Sequence, residues 1–224
     1  MDKKDLTGIF KFLSKAYNAN WTLRWSHTPY MSKALASGKT ESILGHKWAM
    51  MELWYQLRRV CPNLNAAIDS KKFYEIVLNH DLGETFLGDI SAIRQLNGEG
   101  LDKHIAEHQE LEKMSTDLPK YSARDMLDSF DEFEKEINSI DDLEILLAKF
   151  IDILQGDHFA LTFGNDLSKH ADIIRRIVNE KFTACVKRFV EVLEKMGRSE
   201  ACKELLEIER FHINQIREAG IDIK

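Results

Sequence analysis

The spacing of apolar residues constrains this chain most: they recur every three or four positions along nearly its whole length, and hardly ever every second one. Only 3 Pro and 11 Gly interrupt 224 residues, so that helical period is rarely broken and the chain reads as all-α, with no strand. Helices are expected from about Asp5 to Asn18, from after Thr40 to Val60 where Cys61-Pro62-Asn63 stops the run, from Ser70 to Leu82-Gly83, and from Glu99 to Met114. A fifth follows Pro119, with Ser122 and Asp125 spaced as a capping box. Ser139 and Asp142 repeat that spacing before a sixth that ends at Gly156. A long seventh runs from Ser168 to Met196, and an eighth from Ser199 to just before Gly220. Ser26 to Lys39 reads as a polar connection. With no repeat and no flexible linker, residues 1–224 form a single compact helical domain, its core at about 20–160 and a longer C-terminal helical extension at about 168–219.

Charge and cysteine usage narrow the function. The 31 Lys+Arg stand against 37 Asp+Glu, a net charge of −6, which lacks the surplus of cations that stable nucleic-acid binding needs. No stretch reaches the roughly 18 uncharged apolar residues of a membrane span, and Met1-Asp2-Lys3-Lys4-Asp5 is no signal peptide, so a cytoplasmic protein without membrane contact is expected. Cys61, Cys185 and Cys202 are odd in number and widely spaced, which points away from a disulfide framework or a cysteine metal knuckle. Metal chemistry here has to use histidine and carboxylate.

The segment richest in such groups is Leu78-Asn79-His80-Asp81-Leu82-Gly83-Glu84, followed by Gly88-Asp89. Adjacent His and Asp at a helix end point about 100° apart, so both reach one cation only beside the terminus, where Gly83 offers a turn. A core histidine with a capping aspartate is the plainer reading of that pair. His46 lies mid-stripe on the second helix, with Ile43, Ala49, Met50, Leu53 and Leu57 on its face, and must point inward. Two inward histidines and an aspartate suit Mn, Co, Zn or Fe(II), and one more ligand is wanted. Asp152 is the best candidate, an acid inside an apolar helix, but its place on the helical wheel is compatible with either an exposed acid or the lining of a polar cavity.

The order His46, His80-Asp81, Asp152 resembles the HD-domain metal-dependent phosphohydrolases, whose H…HD…D pattern is spread over an all-α bundle. The pattern is most similar to the bacterial 5′-deoxynucleotidase (YfbR-like) branch, through Arg24-Trp25, Glu41-Ser42 and the extended run from His80 through Glu84 to Gly88-Asp89. The resemblance covers about Leu23 to Gln155. It implies one divalent metal ion (Mn, Co, Zn, Fe or Mg) on His46, His80, Asp81 and Asp152, with Glu84 and Asp89 around the attacking water and nucleotide. It further implies that Arg24 holds phosphate, that Trp25 shapes the sugar pocket against a 2′-hydroxyl, that Arg94 contacts phosphate, and that the protein is a homodimer acting on a small nucleotide. Chemically, a divalent ion acidifies water and polarises a phosphoryl oxygen, a carboxylate takes the proton, and an arginine forks onto phosphate.

Two departures stand out: Gly45 where relatives carry a glutamate before the first histidine, and a longer connection from Trp25 to His46. The expected activity is removal of 5′-phosphate from deoxynucleoside monophosphates. A deoxynucleoside triphosphate triphosphohydrolase and a non-catalytic nucleotide-binding module are the alternatives. His104-Ile105-Ala106-Glu107-His108 matches the H-x-x-E-H of some zinc proteases, but it runs into the charged Gln109–Lys113 and reads better as a surface or rim helix, with a second-metal role for His104 or His108 left open. Trp48, Trp54, Phe73, Phe86, Phe130, Phe133 and Phe150 read as core, and Asp131–Glu136 as an exposed acidic face. Ile174, Val178, Phe182, Cys185, Phe189 and Val192 form either a core stripe or a dimer seam.

Overall fold

The computed structural model describes residues 2–89, 98 and 102–223, and helices follow the apolar period throughout them. In chain order they are α1 (Lys3–Ala16), α2 (Ser32–Ala36), α3 (Ile43–Val60), α4 (Pro62–Ala67), α5 (Ser70–Asn79), α6 (Glu84–Leu87), α7 (Lys103–Ser115) and α8 (Lys120–Glu134). Then come α9 (Leu143–Phe163), α10 (Ala171–Ile177), α11 (Thr183–Lys195) and α12 (Ser199–Glu218). Among the described residues the only β-type pairing is an isolated antiparallel bridge between Leu23 and Ser42, so the chain is an all-α bundle.

α9 organises that bundle because it is apolar on nearly every side, and such a helix is stable only when enclosed. α3, α5, α8 and α11 pack around it, and Leu146, Leu147, Phe150 and Ile151 lose all contact with solvent. Each side chain so enclosed contributes roughly 1.5–3 kcal/mol of transfer free energy. The C-terminal helices belong to the same core: Phe150 stacks on Phe182 at 5.6 Å and meets Phe189 edge-on at 6.4 Å. The stripe Ile174, Val178, Phe182, Cys185, Phe189, Val192 is buried within the chain, which decides its reading as core and removes it as a dimer seam. α12 covers α4 and α11.

Several sequence boundaries shift for identifiable reasons. α9 continues through Gly156 to Phe163, since an enclosed helix outweighs the roughly 1 kcal/mol that an interior glycine costs. Its cap is Asp142, whose carboxylate accepts from Glu144 N and Ile145 N, while Ser139 sits in a separate 3-10 turn. α8 starts at Lys120 behind Pro119 rather than at Ser122. The third expected helix stops at Asn79, and His80 to Gly83 form a turn before α6. The connection from Ser26 to Lys39 is far from purely polar, because it holds a 3-10 turn and α2, with Tyr30, Met31 and Ala34 buried. Trp54, Phe73, Phe130, Phe133 and Phe150 are core as expected, but Trp48 is 64% exposed and Phe86 51%.

α1 lies against the α7–α8 connection so closely that a Cβ on Gly8 would stand 1.9 Å from Asp117 O. In an open helix Gly→Ala stabilises by roughly 1 kcal/mol. Here the contact is with backbone, which cannot rotate away, so Gly8→Ala is expected to destabilise by about 1–3 kcal/mol. Chemical denaturation of the variant checks this, and a raised midpoint would contradict it.

Candidate metal centre

Three elements meet at the middle of the bundle. α3 begins at Ser42, whose hydroxyl accepts from Gly45 N at 3.0 Å, and this start turns His46 inward to complete burial. α5 ends beneath it, so that His80 and Asp81 face the same point, and α9 brings Asp152 from the other side. His46 Nε2 lies 3.0 Å from Asp152 Oδ1 and 3.6 Å from Asp81 Oδ2, and His80 Nε2 lies 3.2 Å from that same Asp81 oxygen. One donor atom each from His46, His80 and Asp81 fall within 4.8 Å of one another. The choice left open for Asp152 thus falls to the cavity lining.

The partners of the imidazoles determine where their protons sit. His80 Nδ1 lies 2.9 Å from Val77 O, an acceptor only, so Nδ1 carries the hydrogen and Nε2 the lone pair. His46 Nδ1 lies 2.5 Å from Gln155 Oε1, and the amide of Gln155 is oriented because its Nε2 donates to Glu41 Oε1 at 2.7 Å. His46 therefore also presents a lone pair at Nε2. Both Nε2 atoms are buried without a hydrogen-bond partner, and both face carboxylate oxygens. Burial would push Asp152 up, but His46 and Arg24 outweigh it and hold the carboxyl at about 2. Burial is likewise outweighed at Asp81, which His80, His46 and Arg24 keep well below the usual carboxylate range. Two imidazoles and two ionised carboxylates turned to one point fit a divalent cation: His46, His80 and Asp81 bring donor atoms close enough to share one, and Asp152, beside His46, could join them.

Gly45 contributes no side chain, and the acid supporting His46 is Glu41, acting through Gln155. Neither role was visible in the sequence, because 109 positions separate His46 from Gln155 and 114 separate Glu41 from Gln155. The bridge at Leu23–Ser42 sets Arg24 beside Glu41, with Arg24 N donating to Glu41 O at 2.9 Å. The Arg24 guanidinium lies 3.5 Å from Glu41 and 3.8 Å from Asp152. Burial opposes its charge, but Asp81, Asp152 and Glu41 raise its pKa above the ordinary arginine value, so it stays cationic. Trp25 adopts φ +69°, a left-handed conformation that a large side chain holds only under restraint. The restraints are Asp89 Oδ2, which accepts from Trp25 N at 2.9 Å, and Glu41 Oε2, which accepts from the indole Nε1 at 2.9 Å. The indole stacks on Phe159.

Glu84 lies one turn beyond Asp81, buried and paired with Lys103 at 2.6 Å, and Lys103 also holds Glu107 at 2.8 Å. Burial, and then Asp81, push Glu84 well above the usual carboxyl range, and burial lifts Glu107 to about 7 against the pull of Lys103. Gly83 closes the expected turn with ordinary right-handed dihedrals, so what it contributes is space rather than a positive φ. Its hydrogen admits the α7 backbone, since a Cβ would meet Glu107 O at 2.6 Å. Lys47 is buried beside the centre, donates to Leu78 O at 3.0 Å and is held at about 8 by desolvation. A cavity of about 490 Å³ opens over these groups, lined by Arg24, Trp25, Asp81, Glu84, Asp89 and Asp152 among others. Glu134, Lys135 and Glu136, expected on an outer face, line it too. Arg94 lies outside the described residues.

His104 and His108 stay apart from this cavity. Glu107 turns inward to Lys103, so no glutamate stands between the two imidazoles as the protease motif requires.

A sequence profile described as the HD domain matches residues 32–195. The chain therefore belongs to the HD-domain family, the metal-dependent phosphohydrolases in general. Arg24 and Trp25 precede the matched span, while His46, His80, Asp81 and Asp152 lie within it. Comparison with curated proteins finds no match.

The Gln155 amide is the group that His46 Nδ1 meets among the described residues. Gln155→Leu is expected to weaken Mn²⁺ binding about 10–100-fold, as loss of a partner behind a histidine ligand generally does. Calorimetric titration checks it, and an unaltered affinity would mean that the Glu41–Gln155 relay does not serve the centre.

Proposed function

We propose that the protein is a 5′-nucleotidase that removes phosphate from deoxynucleoside monophosphates, using one divalent metal ion held by His46, His80, Asp81 and Asp152. The observation that carries the reading is the order of groups along one face of α9. Lys149, Asp152, Ile153, Gly156 and Asp157 all line the cavity at helical spacing, so Asp157 lies about 7.5 Å beyond Asp152 along the axis. The scissile phosphate belongs beside Asp152 and Arg24. The nucleoside then extends toward Trp25, whose ring a Cβ on Gly156 would touch at 3.7 Å, and toward Thr28, Tyr30 and Asp157.

When bound, the ion supplies Lewis acidity toward a phosphoryl oxygen and lowers the pKa of water. The protein does the rest with its own side chains. Arg24, permanently charged and already turned to Asp152, forks onto the non-bridging oxygens. Glu84 takes the proton of the attacking water at Oε2, a buried atom with no hydrogen-bond partner of its own, and its raised pKa suits both accepting and returning that proton. Asp89 acts through Trp25 by holding the strained backbone that aims the indole at the sugar. Arg94 is kept in this reading as a phosphate contact. The reaction is placed in the cytoplasm, which suits the three unpaired thiols. It needs no nucleic acid or membrane, and no described helix is long and apolar enough to cross a membrane.

A second reading, triphosphate release from deoxynucleoside triphosphates, is favoured by Lys149 and Lys181. They line the cavity too, and burial holds both below the ordinary lysine range. A nucleotide panel with Mn²⁺ or Co²⁺ separates the two by product: inorganic phosphate from monophosphates supports the first, triphosphate the second. Asp81→Ala and Arg24→Ala are each expected to lower turnover by at least about 100-fold. Hydrolysis that survives in Asp81→Ala would remove the reaction from this centre and leave a nucleotide-binding module.

The homodimer also belongs to this reading, with its interface moved. Exposed Trp21 directly follows a 3-10 turn, Tyr17–Asn20, that packs against both α3 and α6, the helices that carry exposed Trp48 and Phe86. Light scattering on the purified protein checks the assembly, and a Trp48→Glu variant is expected to be monomeric.

A further inference from the structure

Two charged side chains of α7, Lys103 and Glu107, take no part in the reaction above. Lys103 opens the helix, where the partial positive charge of the N-terminus opposes a cation. Glu107 follows it by one turn, the reverse of the order in which an ion pair four residues apart best supports a helix. Helix stability therefore accounts for neither charge. What the two share is Glu84. Lys103 Nζ lies 2.6 Å from Glu84 Oε1 and 2.8 Å from Glu107 Oε1, so one ammonium bridges two buried carboxylates. Glu107 also meets this turn through its backbone. A Cβ on Gly83 would stand 2.6 Å from Glu107 O and 2.8 Å from Glu107 Cβ, so α7 is seated directly against the residue before Glu84.

We propose that Lys103 and Glu107 are positioning residues for Glu84, an inference that rests on the hydrolytic reading in which Glu84 takes the proton of the attacking water. Lys103 ties down Oε1 and leaves Oε2 as the oxygen without a hydrogen-bond partner, which gives the carboxylate one orientation. The ammonium itself needs holding, because a lysine is a compact charge on a flexible four-carbon stem. Asp81, Asp89 and Asp152 line the same cavity as Lys103 and would compete for it. Glu107, on the same helix, keeps the ammonium over Glu84. Placement of this kind matters to rate, since a misplacement of about 1 Å at a reacting group can cost roughly 100-fold. The chain of command runs from the α7 backbone at Gly83, through Glu107 and Lys103, to the oxygen that accepts the proton.

The test is steady-state hydrolysis of deoxynucleoside monophosphates by the full chain with Mn²⁺, compared among the native protein, Glu84→Gln, Lys103→Met, Glu107→Gln and Lys103→Met/Glu84→Gln. Glu84→Gln is expected to lose at least about 100-fold in kcat. Lys103→Met should lose about 10–100-fold in kcat with KM within about threefold of native, and Glu107→Gln, which removes charge but keeps shape, about 3–10-fold. Because Lys103 acts through Glu84, the double variant should be no more than about twofold slower than Glu84→Gln alone. Losses that multiply in the double variant overturn the proposal. So does native kcat in Lys103→Met and Glu107→Gln, and so does a loss carried entirely by KM, which would make Lys103 a phosphate contact. Should Lys103→Met fail to fold, Glu107→Gln combined with Glu84→Gln closes the same cycle. Failure of the underlying reading shows separately, as undiminished turnover in Glu84→Gln.

Discussion

The structure depends on one electrostatic conflict. Two imidazoles and two ionised carboxylates are pressed together inside an apolar bundle, where uncompensated negative charge costs far more than it would in water. Removing solvent from such a group is tolerable only if a positive charge joins it. Arg24 supplies part of that charge from 3.8 Å, and Lys103 neutralises the next acid along, Glu84. The remainder is what a divalent ion provides. Fold and chemistry are therefore the same problem at this point, since the helices that bury the core also determine which acceptors share a cation.

α9 carries both burdens. Its apolar sides hold the bundle, while the face bearing Lys149, Asp152, Gly156 and Asp157 lines the cavity. The same helix supplies Gln155, which reaches back to His46 and to Glu41. A helix locked along its apolar sides by packing keeps its polar groups within the narrow tolerance that ion binding and phosphate transfer need. The strained backbone at Trp25 fits the same picture, with Asp89 and Glu41 fixing both ends of the residue.

Much of this was legible in the sequence because helical period and residue type are local properties. His46 had to point inward given its neighbours, and the His80-Asp81 pair announced itself by adjacency. Asp152 could not be assigned from its wheel position alone, because cavity and solvent look alike to a hydropathy pattern. Glu41 and Glu107 stood in motifs, but their roles, like those of Gln155 and Lys103, could not be read for another reason: each acts on a partner that only tertiary folding brings near, apart from the one-turn pair of Lys103 with Glu107. Exposed Trp48 and Phe86 show the converse error, large aromatic rings assigned to the interior on size alone. The boundary at Gly156 failed because enclosure overrides intrinsic propensity.

The helix that follows α10 contains a single wide π turn, Val178–Phe182, before it resumes as α11. Ile174, Val178 and Phe182 are spaced by four, a step that drifts about 40° per interval in a regular α-helix. The wide turn absorbs the drift and keeps all three in the core, while Ile177, Glu180 and Lys181 reach the cavity from the same stretch. One surplus residue thus acts as a phase shifter. Winding the same residues as a regular α-helix would swing everything beyond by about a quarter turn, so the wide turn is as much a part of the cavity as any side chain in it.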